Sequence, residues 1–311
     1  MSVSVELFTT MGRRTLLRRL AATAMLAVPL AAGARVAAAS GPLAASGLAS
    51  QSVSSTALHE APFLQSADGS DGAAVSARNV VLVHGAYADA SSWVDVIGLL
   101  RSAGMRVTAV QNPLRSLDDD VAATRRVLSM QDGPTVLVAH SYGGMVVTEA
   151  GVSPNVTALV YVAARAPDAG EDYTALAATF PTPPASAGLV NTDGFLQLSE
   201  SAFLNDFANG VDSDMAQTLY AVQAPVAATL FPTAMTTVAA WRSKPSWYAV
   251  SIQDRTITPD LERFMANRMQ ATTIEIDTGH LSLITHPRET ADLILAAASA
   301  PTSAAGSPAG A

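Results

Sequence analysis

The amino-acid sequence predicts an α/β fold, in which a mostly parallel central sheet is flanked by helices. Short apolar runs rich in valine, such as NVVLV and TVLVA, have the composition of strands that are buried on both faces. Segments with helical spacing of apolar residues lie between these runs, and this alternation indicates a parallel sheet. Of the 311 residues, 49% are hydrophobic and 14% are charged, so the chain can bury one sizeable core.

The predicted elements follow one another in chain order. Strands are expected at 79–85, 105–110, 135–138, 156–164, 246–252 and 272–277. Helices are expected at 92–102, 117–130, 142–150, 259 onward and 287–298. Ser116 is a suitable N-cap, and the acidic run Asp118, Asp119 and Asp120 is interpreted as a solvated helix start with no catalytic role. Pro259 suits the first position of a helix because its φ is fixed and its N–H is missing.

Residues 166–240 interrupt the alternation of strands and helices. The segment contains the proline-rich stretch FPTPP and then several helical stretches. Because it is long for a connection, it is expected to have structure of its own. The sequence therefore predicts a folded domain at 77–299 with a small helical cap at about 166–240. The cap is expected to lie over the carboxyl ends of the strands, where open α/β sheets bind ligands.

The two ends of the chain have a different composition. Residues 1–39 combine the paired arginines Arg13 and Arg14, a short apolar run and a small-residue site, which together are typical of an export signal. The Arg-Arg-Thr-Leu-Leu order is similar to a twin-arginine signal, and the apolar run is too short to span a membrane. Residues 40–76 are expected to form a flexible lead, and 300–311 a disordered tail. The protein is therefore expected to be exported, to the periplasm or beyond, without a membrane anchor once the signal is removed.

Charge and cysteine content exclude several classes of function. The formal net charge is -8, which argues against nucleic acid as a partner. The chain has no cysteine, so disulfides, thiolate catalysis and cysteine-based metal sites are excluded. The mean hydropathy of +0.27 is too high for a disordered protein. No motif for a metal or an organic cofactor is present.

One serine lies in a segment that is built to expose it. In TVLVAHSYGGM, a buried strand ends abruptly at Ser141, and Ala139, Gly143 and Gly144 surround this serine with small residues. A tight turn needs such residues because backbone passes close to backbone there. The nucleophile elbow has a characteristic order: a strand, then the pattern small residue-x-Ser-x-Gly, and then a helix. Ala139 replaces the first glycine of the strict pattern.

A serine nucleophile needs a base and an acid that orients the base. His280 follows the last strand, in a loop at the sheet edge where the ligand is expected, and it comes late in the chain as the order Ser, acid, His requires. The four other histidines are interpreted as structural or solvent-exposed: His59, His84, His140 and His286. Asp254, just past the end of its strand, is the preferred acid, and Asp168 is the second choice. Asp277 is judged too close to His280 in sequence to reach the far nitrogen of its ring.

The reaction also needs N–H donors for the negative oxygen of the intermediate. The predicted donors are the backbone N–H groups of Tyr142, after the nucleophile, and of Ala86, in the loop after the first strand. Gly85 would allow the close approach that this loop requires. Candidates for an apolar substrate pocket, with core packing as the alternative for each, are Tyr87, Trp93, Met145, Phe180, Phe195 and Phe207.

Four segments carry a resemblance to a known family: VLVHGAYADASSW, HSYGGM, DRTITPDLERFMANRM and GHLSLITHP. They resemble the branch of the α/β-hydrolases that contains plant methylesterases, hydroxynitrile lyases and many bacterial esterases, and the resemblance covers nearly all of 78–298. The lyases of this branch have threonine after the first-loop histidine and lysine after the catalytic histidine. Gly85 and Leu281 occupy these positions here and are of the esterase kind.

The motifs and the resemblance together imply an exported serine esterase. Ser141, His280 and Asp254 are expected to form the catalytic triad, to act on small or medium hydrophobic esters and to need no cofactor. Two alternatives stay open. One is lactone or amide hydrolysis, or acyl transfer, on the same triad. The other is a ligand-binding module with little turnover. The sequence predicts no particular oligomeric state.

Overall fold

A computed structural model of the chain describes residues 77–300. The predicted export signal at 1–39, the predicted lead at 40–76 and, from residue 301 on, the predicted tail lie outside the described residues. None of the helices in 77–300 combines the length and the apolar character that crossing a bilayer requires.

The order of elements in 77–300 follows the predicted alternation, with a long insertion after the fourth strand. The strands are β1 (Asn79–Val83), β2 (Arg106–Val110), β3 (Thr135–His140), β4 (Val156–Val162), β5 (Leu189–Thr192), β6 (Phe195–Leu198), β7 (Val226–Ala227), β8 (Ser246–Ser251) and β9 (Thr272–Ile276). The helices are α1 (Val94–Ser102), α2 (Leu117–Ser129), α3 (Gly143–Ala150), α4 (Tyr173–Ala177), α5 (Glu200–Ala202), α6 (Ser213–Ala221), α7 (Leu230–Thr233), α8 (Pro259–Arg268), α9 (Ser282–Thr285) and α10 (Pro287–Ser299).

Six strands form the central sheet, in the order β2-β1-β3-β4-β8-β9. All of its neighbouring strands pair in parallel, which confirms the predicted fold class. The chain steps from β1 to β2 in one direction along the sheet and from β3 to β9 in the opposite direction. Because parallel crossovers are right-handed, the connecting helices therefore cover both faces of the sheet. In agreement, α1 packs against α10, and α2 packs against α3.

The middle of the sheet explains the apolar runs of the sequence. Every residue of β1, β3 and β8 is buried, because helices cover these strands on both sides. The edge strand β9 is largely exposed, and its sequence TTIEI is correspondingly polar. The helix ends also follow the local rules, since the Ser116 side chain accepts a hydrogen bond from the Asp119 N–H and Pro259 begins α8.

The insertion between β4 and β8, residues 163–245, includes the range 166–240 in which the sequence predicts a small helical cap. It holds several short helices and also a second sheet that the sequence analysis did not predict. This sheet is antiparallel, has three strands and has the order β5-β6-β7. Its strands have only two to four residues, and β5 is wholly exposed. Such short strands lack the buried apolar run by which the core strands were recognised.

Candidate active site

The predicted site residues meet at one edge of the central sheet. Ser141 follows β3, Asp254 follows β8 and His280 follows β9, while Ala86 follows β1. All four therefore lie beyond the carboxyl ends of parallel strands. Loops at this edge converge because parallel strands all end on the same side of the sheet.

The side chains of Ser141, His280 and Asp254 form one chain of hydrogen bonds. Nε2 of His280 lies 2.8 Å from Oγ of Ser141, and Nδ1 of the same ring lies 2.5 Å from Oδ2 of Asp254. The His280 side chain is fully buried, and Ser141 and Asp254 are 5% and 6% exposed. A histidine Nδ1–H that donates to the Asp254 oxygen leaves Nε2 to accept the serine O–H. This is the geometry that activates a hydroxyl nucleophile.

The carboxylate of Asp254 is held by its own loop. Its second oxygen, Oδ1, accepts the backbone N–H groups of Thr256 at 2.6 Å and Ile257 at 2.9 Å. The other two acids considered as orienting groups lie elsewhere. Asp168 is bound by the guanidinium of Arg242, and Asp277 accepts a hydrogen bond from Gln253 at 2.5 Å.

The backbone at Ser141 has the left-handed conformation of a nucleophile elbow. Its φ is +54°, which is strained for a residue with a side chain. The Ser141 carbonyl accepts the N–H groups of Gly144 and Arg165, both at 3.0 Å, and these bonds hold the turn. A Cβ on Gly85 would lie 2.7 Å from the Ser141 Cβ, and a Cβ on Gly144 would overlap with the Arg165 carbonyl. The small residues of the motif are therefore required by close contacts.

Two backbone N–H groups beside the serine are free to bind an anion. Among the hydrogen bonds of residues 77–300, neither the Ala86 N–H nor the Tyr142 N–H has a protein acceptor. His84 holds the loop that carries Ala86, because its Nε2 accepts the Asn112 N–H at 2.9 Å and its Nδ1 donates to the Gly85 carbonyl at 2.8 Å. Burial lowers the pKa of His84, which favours this neutral form.

The histidine before the nucleophile also has a structural role, as expected. His140 is fully buried, and its Nε2 lies 3.0 Å from the His280 carbonyl oxygen, to which it donates. The two imidazole rings are in contact, with centroids 4.6 Å apart. Burial, followed by the neighbouring His280, lowers the pKa of His140 well below its usual value. His140 therefore remains neutral and anchors the backbone of the triad histidine.

The interpretation of the acidic run at the start of α2 as solvated is wrong for Asp120. Asp118 and Asp119 are exposed, as predicted, but Asp120 is completely buried. Its carboxyl group accepts the Tyr142 hydroxyl at 2.7 Å and the Leu114 N–H at 2.8 Å. Burial raises the pKa of Asp120 to about 6. This acid thus supports the residue after the nucleophile, a role that three consecutive acids at a helix start did not indicate.

A second buried acid lies behind the triad and was missed from sequence. Glu262, on α8, is fully buried, and its Oε2 accepts the Ser251 N–H at 3.2 Å. Its Oε1 has no hydrogen-bond donor among the described residues. Burial, and then the charge of Asp254 to which it hydrogen bonds, raises the pKa of Glu262 well above its usual value. A protonated Glu262 accounts for the missing donor, because its own O–H then donates to Asp254.

An apolar cavity of about 220 Å³ opens next to this site. Tyr87, which follows Ala86, lines it, as the pocket prediction expected. Two other predicted pocket residues do not line this cavity and belong to the core. Trp93 is fully buried with its ring edge against His140, and Met145 is 1% exposed on α3. Both are enclosed because helices cover the sheet around the elbow.

The three remaining pocket candidates, all aromatic residues of the insertion, also lie outside this cavity. Phe180 packs against Phe264, Phe195 is 41% exposed, and Phe207 packs against both Tyr87 and His280. Within the described part of the chain, no three His, Asp or Glu side chains are grouped so as to hold a metal ion.

Comparison with known proteins places this architecture among hydrolases. The family model described as alpha/beta hydrolase family matches residues 80–293. The carbendazim hydrolyzing esterase of Nocardioides sp. (strain SG-4G) is 35% identical over 112 residues, which are 32% of this chain and 46% of that protein. The chain thus aligns with about half the length of this curated relative.

Two solved structures are similar in fold. A pyrethroid hydrolase from Sphingobium faniae JZ-2 has a TM-score of 0.62 and 19% identity, covering 73% of this chain and 99% of that one. A methylesterase from Arabidopsis has a TM-score of 0.59 and 18% identity, covering 71% and 98%. The resemblance that the motifs indicated is confirmed. Since the family model extends over most of its length, the chain belongs to the alpha/beta hydrolase family.

Proposed function

We propose that this protein is a serine esterase, which hydrolyses carboxylic esters through an acyl-enzyme. The observation that carries the proposal is the His280 ring, which bridges Ser141 Oγ and Asp254 Oδ2 at 2.8 and 2.5 Å. The free N–H groups of Ala86 and Tyr142 beside the serine support it. Relatives that are named as a carbendazim esterase, a pyrethroid hydrolase and a methylesterase point to the same reaction class.

In the first half of the proposed reaction, Ser141 Oγ attacks the ester carbonyl carbon. The serine proton passes to His280 Nε2, and Asp254 stabilises the imidazolium that results. The carbonyl oxygen becomes negative and accepts the N–H groups of Ala86 and Tyr142. The carbon–oxygen bond to the alcohol then breaks, and the leaving oxygen takes the proton from His280.

In the second half, water attacks the acyl carbon of the ester formed on Ser141. His280 takes one proton from this water and returns it to Oγ when the acyl–serine bond breaks. The products are the free carboxylic acid and the regenerated enzyme. Each turnover therefore consumes one ester and one water molecule and uses only groups of the chain.

Hydrolysis of 4-nitrophenyl esters from acetate to dodecanoate tests the proposal directly. We expect Ser141→Ala to lower kcat by at least about 1,000-fold, since losing the nucleophile removes the acyl-enzyme route. Ser129→Ala, which alters an exposed serine of α2, is the matched control and should keep native rates. Equal rates for the native protein and Ser141→Ala would refute the esterase proposal. Stoichiometric acylation of Ser141 without turnover would instead favour a binding module.

We also infer that residues 1–39 direct export through a twin-arginine-type signal. The paired arginines followed by Thr-Leu-Leu, a short apolar run and small residues at 37–39 support this inference. Together with a folded hydrolase domain at 77–299, it describes an enzyme that meets its ester substrate outside the cytoplasm.

A further inference from the structure

The wall of the apolar cavity contains a single charged side chain. The wall residues include Tyr87, Arg165, Tyr173, Phe231, Thr256 and Thr258. Arg165 is the charged one, and none of the others is acidic. The cavity lies near the candidate active site, because its wall includes Tyr87, which follows Ala86, and Arg165, whose backbone N–H donates to the Ser141 carbonyl at 3.0 Å.

The guanidinium of Arg165 has no anionic partner in residues 77–300. No carboxylate of this part of the chain lies within 4.0 Å of it, and its buried Nε has no acceptor. Its carbon Cζ lies 4.8 Å from the centre of the Tyr173 ring and 4.5 Å from that of Phe231. Arg268, whose side chain is 20% exposed, differs because Glu171 binds it at 2.6 and 2.9 Å.

Two threonine hydroxyls of the same wall are also without partners. Oγ1 of Thr256 and Oγ1 of Thr258 are buried and have no hydrogen bond within the described residues. Both belong to the loop after Asp254, whose backbone holds the triad carboxylate. Both oxygens are covered by neighbouring atoms, so the guanidinium of Arg165 is the group through which the cavity wall could bind an anion.

We propose that this cavity selects esters that carry a carboxylate group. The proposal rests on the esterase function proposed above and specifies its substrate class. A carboxylate would accept hydrogen bonds from the planar guanidinium of Arg165. The apolar wall would take the carbon chain of the substrate. A cavity of about 220 Å³ suits a small substrate, since pockets for drug-sized ligands begin at ~300 Å³.

Aromatic packing alone does not account for Arg165. The rings of Tyr173 and Phe231 lie near its guanidinium, and cation–π contact offsets part of the cost of removing the charge from water. It leaves the buried N–H without an acceptor, however, and a neutral side chain of the same length would fill the space between the rings. A charged group beside an ester-cleaving site is better explained by an anionic group on the substrate.

Two pairs of esters, matched in shape and different in charge, test the proposal. The first pair is mono-4-nitrophenyl adipate and 4-nitrophenyl 6-methylheptanoate, in which an isopropyl group replaces the carboxylate. The second pair is 4-acetoxybenzoate and 4-isopropylphenyl acetate, with the charge on the alcohol side. We expect the native protein to favour the acidic member of at least one pair by tenfold or more in kcat/KM. A preference in neither pair overturns the proposal.

The variant Arg165→Met keeps the length of the side chain and removes its charge. We expect it to lower the ratio of acidic to neutral kcat/KM by about 10- to 100-fold, the range of one or two charge-assisted hydrogen bonds. Arg125→Met is the matched control, because Arg125 is half-exposed on α2 and outside the cavity, and it should leave the ratio unchanged. An unchanged ratio in Arg165→Met contradicts the proposal. If Arg165→Met does not fold, Arg165→Gln, which also removes the charge, should lower the same ratio by at least about tenfold.

Binding separates this proposal from the esterase proposal. Adipate is titrated calorimetrically into Ser141→Ala and into Ser141→Ala with Arg165→Met. If the native protein cleaves neither pair, the esterase proposal fails, and loss of adipate binding on replacing Arg165 would still support a carboxylate subsite. If the neutral esters are cleaved in a Ser141-dependent way but adipate binds both proteins equally, the esterase proposal stands and the carboxylate subsite is refuted.

Discussion

At the scale of single residues, Ser141, the proposed nucleophile, depends on close backbone contacts around it. Ser141 adopts a φ of +54°, a conformation that persists only when its surroundings enforce it. The Gly144 and Arg165 N–H groups bind its carbonyl, and Gly85 lies directly against its Cβ. The position of the hydroxyl is therefore set in part by the close packing of small neighbouring residues.

The substitution Gly144→Ala should damage both stability and activity. The added Cβ would overlap with the Arg165 carbonyl, so α3 must move away from the loop after β4. We expect a loss of about 1–3 kcal/mol in the free energy of unfolding, as for other overpacked sites. Denaturant unfolding and the 4-nitrophenyl acetate assay measure the two effects.

Gly98→Ala is the matched control for this prediction. Gly98 lies on α1, and an added Cβ there would meet no atom within 4 Å. Replacing a helical glycine by alanine in open space should raise stability by about 0.5–1 kcal/mol. If Gly144→Ala is as stable and active as Gly98→Ala, the role assigned to close packing at the elbow is wrong.

At the scale of elements, α8 places a second carboxyl group behind the triad acid. Pro259 begins this helix directly after the loop that holds Asp254, and one turn later Glu262 faces the end of β8. Burial keeps Glu262 protonated in the folded protein, whereas in the unfolded chain it would ionise near its usual pKa of 4.5. The folded state therefore binds one more proton than the unfolded state over a window that begins near pH 4.5.

This difference predicts how stability changes with pH. The contribution of Glu262 is fully present below pH 4.5 and is lost as pH rises toward the raised pKa of the folded state. Glu262→Gln stays neutral at every pH and keeps the shape of the side chain. We expect the Tm of the variant, relative to that of the native protein, to increase steadily from pH 5 to pH 8.

Glu275→Gln is the control, because the pKa of Glu275 is shifted in the opposite direction from that of Glu262. The guanidinium of Arg263 lowers the pKa of the exposed Glu275 on β9, so its contribution is present above the usual pKa of 4.5 and lost only below it. The Tm difference of Glu275→Gln should therefore stay constant between pH 5 and pH 8. A Tm difference for Glu262→Gln that is equally constant would show that Glu262 is ionised in the folded protein.

At the scale of the whole domain, the insertion at 163–245 packs against the loops at the carboxyl ends of the central strands. Phe231 of this segment contacts the rings of Tyr87 and Tyr142 and the guanidinium of Arg165. Residues of the insertion and of the loops after β1 and β8 together line the cavity. If the cavity holds the proposed ester substrate, its size depends on the distance between these two parts of the chain.

Phe231→Ala should enlarge the cavity on the side of the insertion. We expect the optimum acyl length for 4-nitrophenyl esters to shift upward by two or more carbons, because a longer chain can occupy the space of the lost ring. Phe195→Ala is the control, since Phe195 is 41% exposed on β6 and outside the cavity wall. An unchanged optimum in Phe231→Ala would show that the insertion does not limit substrate length.

The features that could be predicted from sequence are those that local rules determine. Buried strands between two helix layers must be continuously apolar, and a tight turn after one of them must use small residues. These two requirements located the sheet and Ser141. Because parallel strands end on the same side, Asp254 and His280 could be selected as side chains that follow later strands, and the structure brings both to Ser141.

Only the tertiary structure decided which polar residues are buried and what they face. Asp120, Glu262 and Arg165 resemble ordinary surface charges in the sequence, yet each is enclosed by elements that are distant along the chain. Trp93 and Met145 were equally suited to a pocket and to the core, and helix packing placed both in the core. The sequence by itself determined the fold and the strand ends at which Ser141, Asp254 and His280 lie, because these follow from local patterns. The surroundings of the triad depend on long-range packing, which no local pattern encodes.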